Sequence, residues 1–219
     1  MLKYPCLVLD HDDTVVKSEA TVNFPCFCDF LRLHRPGTEI TLQQYMDGCS
    51  RLGFAEMCRQ WYGFTVQDME KEYQFWLSYG KDHIPAPYPG MSRILSRQRQ
   101  LGGLVCVVSH SAEATIRRDY LHHFSMVPDR IYGWDCPEEQ RKPSPYPLLD
   151  LMQRYSLSPH QLLVVDDLPP ACAMARAAGT AIAFAGWGRK DQPNIVKEMK
   201  KLCDFSFFSP EELENFLFD

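Results

Sequence analysis

The apolar positions of this chain follow two rhythms. Short β-type runs recur at Cys6 to Leu9, Leu104 to Val108, Arg130 to Trp134, Leu162 to Val165 and Ala181 to Ala185, each of a length and composition suited to a buried strand. Between the later runs the spacing turns helical. Met91 to Leu101 reads as a helix stopped by Gly102-Gly103, Ala112 to Phe124 as the next, then Pro147 to Tyr155, and Pro170 to Ala178 with an alanine-rich face ending on Gly179. Ser209-Pro210-Glu211-Glu212 supplies an N-cap, a proline at the first helical position and a capping-box glutamate, so Glu211 to Phe218 reads as a last helix. Strand and helix in alternation predict βαβ units and a parallel sheet.

The stretch from Val16 to Pro85 breaks this order. Phe24, Phe27, Phe30 and Leu31, then Met57, Trp61, Met69, Tyr73, Trp76 and Leu77 lie at helical spacing with no convincing strand. It reads as a helical insert of roughly 70 residues, too long for an ordinary connection, with Ala86-Pro87-Tyr88-Pro89-Gly90 as the return linker. The division is therefore 1–15 with 86–219 as one domain and 16–85 as another. Aromatic stripes of this kind usually pack helices together, and Phe24, Phe30, Trp61 and Trp76 are expected in such a core.

Composition narrows the function classes. The chain has 219 residues, 45% hydrophobic and 23% charged, which suits a globular protein without low-complexity tracts. A net charge of -5 gives no footprint for nucleic-acid backbones or anionic membranes, yet a local cation can still hold a small anion. No apolar stretch approaches the ~18 residues of a membrane span, and Met1 to Pro5 lead into a strand without a signal-like segment. A soluble, cytoplasmic protein is expected. The odd count of 9 cysteines, scattered without framework spacing, argues for reduced thiols. Cys6, Cys106 and Cys172 read as small core residues, and Cys26 and Cys28 as helical thiols with one facing inward.

The chemistry gathers at strand ends. The first run leads into Asp10-His11-Asp12-Asp13-Thr14 and the fourth into Asp166-Asp167, so buried parallel strands would bring five carboxylates to one sheet edge. Like charges packed there call for a divalent cation or phosphate handling. The second run ends in Ser109-His110-Ser111, whose hydroxyls and backbone N–H groups could cradle an anion, and Arg141-Lys142-Pro143 places positive charge ahead of a helix. Each feature alone has an ordinary reading as turn, cap or solvated charge. Their order along successive strand ends is what carries the signal. No Gly-x-Gly-x-x-Gly follows the first strand, which removes a dinucleotide site, and no histidine has a second metal ligand at fixed spacing.

This ordered set resembles the haloacid dehalogenase (HAD) superfamily of phosphohydrolases. Asp10-x-Asp12-x-Thr14 looks like its first motif, Ser109 its second, Lys142 its third and Asp166-Asp167 the two-acid form of its fourth. Pro87-Tyr88-Pro89-Gly90 and Ala175 to Gly179 are similar to the phosphoglycolate phosphatase and β-phosphoglucomutase branch. The resemblance implies an α/β, Rossmann-like parallel sheet with helices on both faces, and an α-helical cap made by 16–85. It departs from the family at Asp13, where glycine is usual, at His110, where asparagine is frequent, and at Ala171, where some members carry an acid.

The resemblance implies a Mg²⁺-dependent phosphatase acting on a small phosphorylated metabolite, with neither nucleic acid nor membrane as partner and with oligomeric state left open. Asp10 would be the nucleophile, Asp12 the acid and base, and Thr14, Ser109 and Lys142 would hold the transferring phosphoryl group. Mg²⁺ would meet Asp10, the carbonyl of Asp12, and Asp167, with Asp166 either a ligand or an outer acceptor. Ser109, His110 and Lys142 are the expected substrate contacts, joined by Arg51 if the segment Asp47 to Gly53 is an inward loop of the cap. Asp12 argues against dehalogenation, since a departing halide needs no proton. A phosphomutase of the same branch and a non-catalytic phosphometabolite-binding homologue are the alternatives.

Overall fold

A computed structural model describes residues 2–219, and Met1 lies outside the described residues. The strands β1 Cys6–Leu9, β2 Leu104–Val108, β3 Arg130–Tyr132, β4 Leu162–Asp166, β5 Ala181–Ala185 and β6 Phe205–Phe207 pair in one parallel sheet, in the order β3-β2-β1-β4-β5-β6. Helices α1 Phe24–His34, α2 Leu42–Leu52, α3 Phe54–Tyr62 and α4 Val66–Gly80 come between β1 and β2, followed by α5 Met91–Gln100. Beyond β2 come α6 Glu113–Phe124, α7 Tyr146–Tyr155, α8 Pro169–Ala178, α9 Pro193–Leu202 and α10 Pro210–Phe218. The fold is α/β, as the alternation predicts. Among the described residues no helix is long and apolar enough to cross a membrane.

The strands are apolar throughout because both faces of the sheet are covered. Alternate side chains point to opposite faces. Leu7, Leu9, Val105, Val107, Leu163 and Val165 pack with Ile94, Leu95, Ile116, Tyr120, Leu213 and Leu217 of α5, α6 and α10. Cys6, Val8, Cys106, Val108, Leu162 and Val164 pack on the other side with Leu148, Leu151, Met174, Ala175, Ile195 and Met199 of α7, α8 and α9. Each such aliphatic side chain contributes about 1.5–3 kcal/mol when fully buried.

The structure departs from the sequence reading at several points. β3 stops at Tyr132, and at Gly133 the chain passes so close to the start of α6 that a Cβ would lie 2.8 Å from the backbone of both Ser111 and Glu113. The edge strand β6 and helix α9 were not anticipated; β6 is three residues long, too short to show a period. In α10, Ser209 Oγ accepts from Glu212 N at 3.2 Å as an N-cap should, but Glu212 Oε2 takes the N–H of Phe208 and not that of Ser209.

The chain divides into two compact units, residues 2–16 with 86–219 and residues 17–85, the first of which carries the sheet. In the second, Phe27, Phe30, Leu31, Tyr45, Met57, Cys58 and Phe64 form a separate core. Phe27 sits at its centre, its ring 5.3 to 6.3 Å from those of Tyr45, Phe54, Tyr62 and Phe64. Thr41 and Thr65 start α2 and α4 with reciprocal capping boxes to Gln44 and Asp68. Trp61 departs from expectation: it is 44% exposed. Phe24 is only partly buried, and Trp76 is half-buried with Nε1 donating to Asn23 Oδ1 at 2.9 Å.

The segment expected as an inward loop is helical. α2 continues through Leu52 and breaks only at Gly53, where φ is 81°. Gly48 serves close packing, since a Cβ there would lie 2.5 Å from Met57 Sδ and 2.7 Å from Trp61 Cη2. Here glycine marks a helix contact, not a turn.

Glu72 of α4 is buried in this second unit, and burial pushes its carboxyl up to about 7. Its neutral form folds without penalty, whereas ionisation inside the unit opposes folding, so stability falls as pH rises from the ordinary glutamate range to about 7 and levels off above it. Glu72→Gln should be more stable than the parent at pH 8 by about 3 kcal/mol, with little difference at pH 5. Urea unfolding at the two pH values measures this; an equal offset at both would exclude ionisation as the cause.

Candidate active site

The β1–β4 register sets the centre of the site. Leu9 pairs with Val165, and Asp10 N donates to Val165 O at 2.9 Å, so Asp10 emerges beside Asp166 at the carboxyl ends of adjacent strands. Successive crossovers part to opposite sides of β1 here, the position at which such sheets bind ligands. Asp167 follows directly. One oxygen from each of Asp10, Asp166 and Asp167 lies within 4.8 Å of the others, and all three residues are buried.

Two buried cations answer this charge. Lys142 Nζ donates to Asp10 Oδ1 at 2.6 Å and to Asp166 Oδ2 at 2.7 Å. Burial works against its ammonium, but the two carboxylates outweigh that and hold its pKa well above the usual lysine value. Arg189 Nε donates to Asp167 Oδ2 at 2.5 Å, and its Nη1 lies 3.6 Å from Asp13 Oδ2. Burial pushes Asp166 up to about 7 against the opposing pull of Lys142, and raises Asp167 against that of Arg189; the charge of Asp10 adds to both.

Asp12 has different neighbours. Its Oδ2 accepts from Ser111 Oγ at 2.5 Å and from Ser109 Oγ at 3.5 Å. Thr14 Oγ1 donates to Asp167 Oδ1 at 3.4 Å, while its carbonyl accepts from Trp187 Nε1 at 2.9 Å. Asp13 adopts φ 53°, a left-handed conformation that aspartate tolerates better than most residues. Gly188 packs so closely on the Asp13 carbonyl that any Cβ would collide with it. The loop Gly186-Trp187-Gly188-Arg189 after β5 thus braces the turn that carries Asp12 to Thr14.

The structure brings Asp10, Asp12, Thr14, Ser109, Lys142, Asp166 and Asp167 to this edge. His110 is exposed, with Nε2 3.0 Å from the carbonyl of Lys142 and its ring against Trp134. The Ser109–Ser111 cradle is partly engaged already: Ser111 N donates to Ser109 Oγ, and the first N–H of α6, that of Glu113, goes to Asp135. Arg51 belongs to the 17–85 unit, exposed in the last turn of α2.

Three participants escaped the sequence reading. Arg189 carried a signal, a basic residue in a glycine-bracketed turn directly after a strand. In the sequence Ser111 reads only as part of an anion cradle, and Asp119 as an ordinary helix acid although it shares a face with Ile116 and Tyr120. It is wholly buried, with Oδ2 3.1 Å from His11 Nε2 and Oδ1 2.7 Å from Arg118 Nε. Burial disfavours the His11 cation, but the bond to Asp119 and the charges of Asp12, Asp119 and Asp10 raise its pKa overall.

Buried, mutually repelling carboxylates offering only oxygen donors suit a small hard dication. Asp10, Asp166 and Asp167 therefore fit a divalent metal.

Comparison with known proteins agrees with this geometry. A family model described as Haloacid dehalogenase-like hydrolase matches residues 7–185. A phosphoglycolate phosphatase of Aquifex aeolicus is 31% identical over 58% of this chain and 57% of its own length, and one of Nitrosococcus oceani is 27% identical over 90% and 93%. At 31–33% identity, the chain spans only about half the length of the curated relatives it matches, from 48% to 60%. The crystal structure of a haloacid dehalogenase-like hydrolase from Bacteroides fragilis superposes with a TM-score of 0.80 at 20% identity, covering 96% of this chain and 100% of that one.

Replacing Lys142 would strand the carboxylates beside it. Lys142→Met should cost about 3–5 kcal/mol of stability at pH 8, and the loss should shrink toward pH 5, where protonation of Asp166 removes part of the charge left behind. Denaturant unfolding of parent and variant across this range gives the answer; a loss independent of pH would assign the effect to packing.

Proposed function

The chain belongs to the haloacid dehalogenase-like hydrolases, and from that premise we propose that it is a Mg²⁺-dependent phosphatase hydrolysing a small phosphate monoester through an aspartyl phosphate on Asp10. One observation carries the reading. Asp10 and Asp12 are two residues apart yet have opposite partners, a buried ammonium for the first and serine hydroxyls for the second. A pair so differentiated suits a nucleophile beside an acid and base.

Lys142 engages Asp10 Oδ1, which leaves Oδ2 to attack phosphorus. As the Asp10–phosphorus bond forms and the phosphorus–oxygen ester bond breaks, Asp12 gives its proton to the departing alkoxide. Asp12 then takes a proton from water as the water oxygen attacks phosphorus, and inorganic phosphate leaves with Asp10 restored. Thr14 and Ser109 donate hydrogen bonds to the transferring group, and Lys142 offsets the charge gathering on it.

Asp10, the carbonyl of Asp12, and Asp167 are the proposed Mg²⁺ ligands, and the ion would supply charge neutralisation at the phosphoryl oxygens. Lys142 and the N–H of Leu168 already engage Asp166, one at each oxygen, which favours an outer role for it. Arg189 takes Oδ2 of Asp167, leaving Oδ1 toward Thr14 as the donor. The 17–85 unit is the proposed cap. His110 at the rim and the exposed Arg51 of that unit are candidates for reading substrate beyond the phosphate. The names of the curated relatives put phosphoglycolate first among substrates to try.

Purified protein with Mg²⁺ should release inorganic phosphate from a member of a phosphorylated-metabolite panel, whereas isomerisation without net release would mark a mutase. Asp10→Asn should fold normally, release none and take no label from substrate phosphate. A folded Asp10→Asn enzyme with parental turnover would remove the aspartyl-phosphate assignment.

Excess chelator should stop turnover, Mg²⁺ should restore it, and Ca²⁺ should restore it poorly, since a larger ion of higher coordination number spoils the alignment of nucleophile and leaving group. Undiminished activity in chelator would exclude the metal.

A further inference from the structure

Asp10 and Asp12 are held by different means. Asp10 ends a strand, its N–H paired with Val165 O and its carboxylate with Lys142. Asp12 lies beyond the ladder, on a turn whose hub is His11. The His11 carbonyl accepts from Val15 N at 2.9 Å and Val16 N at 3.1 Å, closing the turn. The His11 side chain leaves the turn in the other direction and meets Asp119 of α6.

This side-chain link is wholly internal. His11 and Asp119 are 1% and 0% exposed, and Tyr120 stacks on the imidazole with ring centroids 6.0 Å apart. A carboxylate only accepts, so Nε2 carries the shared proton. Nδ1 has no partner in the structure, which leaves Asp119 as the imidazole's polar anchor. Arg118 occupies the other oxygen of Asp119 at 2.7 Å and fixes its plane.

We propose that His11 and Asp119 form a positioning pair that sets Asp12 for proton transfer to the leaving group while leaving the placement of Asp10 to the strand and Lys142. This rests on Asp12 being the acid, as proposed above. Placing a general acid is exacting, and an error near 1 Å costs on the order of 100-fold. A loosened His11 would pass that error to Asp12 through the turn that the His11 carbonyl closes, since Asp12 is the next residue of that turn.

The test compares leaving groups. The value of kcat/KM covers steps through ester cleavage, and p-nitrophenolate departs without a proton whereas an alkoxide does not. With phosphoglycolate, or the best alkyl phosphate of the panel, Asp119→Ala should lose about tenfold or more beyond its loss on p-nitrophenyl phosphate. Asp12→Asn should show the same bias more strongly. Asp119→Asn, whose amide oxygen still accepts from His11, should recover much of the ratio.

Equal losses on both substrates in Asp119→Ala, with the bias present in Asp12→Asn, would overturn the positioning pair and reduce it to a structural contact. Absence of the bias in Asp12→Asn would remove the acid role itself, and the pair's function with it. If Asp119→Ala does not fold, His11→Gln is judged by the same ratio.

Discussion

Three buried carboxylates at neighbouring strand ends are the constraint around which this molecule is arranged. Burial raises the pKa of Asp166 and Asp167, and their proximity to Asp10 raises it further. Without counter-charge the edge would oppose folding of the strands that form it. Lys142 reaches it from the segment ahead of α7, and Arg189 from the loop after β5. Both cations come from outside the strands they neutralise, so the charge balance also ties distant segments to β1 and β4. A metal ion bound to the same oxygens would meet a site already partly compensated, in which stability and binding draw on the same charges.

Much of this was legible in the sequence because its periods are strong. Unbroken apolar runs mean a sheet covered on both faces, and the acids placed directly after two of them had to emerge at one edge. Lys142 was legible through its order between the Ser109 strand and the Asp166 strand. Arg189 was not, because its partner Asp167 lies across two strand ends, and a basic residue in a turn has many ordinary uses. Asp119 was hidden for a related reason: a helical acid reads as solvated until the face it shares with Ile116 and Tyr120 is found to be buried.

The misreadings in residues 17–85 come from glycine and tryptophan having more than one use. Gly48 looked like a turn because glycine often makes one, yet here it lets two helices approach through Met57 and Trp61. That same contact uses only the edge of the Trp61 ring and leaves much of it exposed. Pattern alone reports that a helix has an apolar face; it does not report how closely a neighbour comes, which is fixed by the volumes of side chains elsewhere.

The brace between the Asp13 turn and the loop at Gly188 and Arg189 bears on how such a site can change through descent. Position 13 could accept glycine first, since Arg189 would still hold Asp167 and the left-handed turn would suit glycine better. The reverse order deprives Asp13 and Asp167 of this cation at once. The two positions are therefore unequal in tolerance: exchanging the aspartate leaves the arginine on Asp167, whereas exchanging the arginine withdraws one cation from two carboxylates.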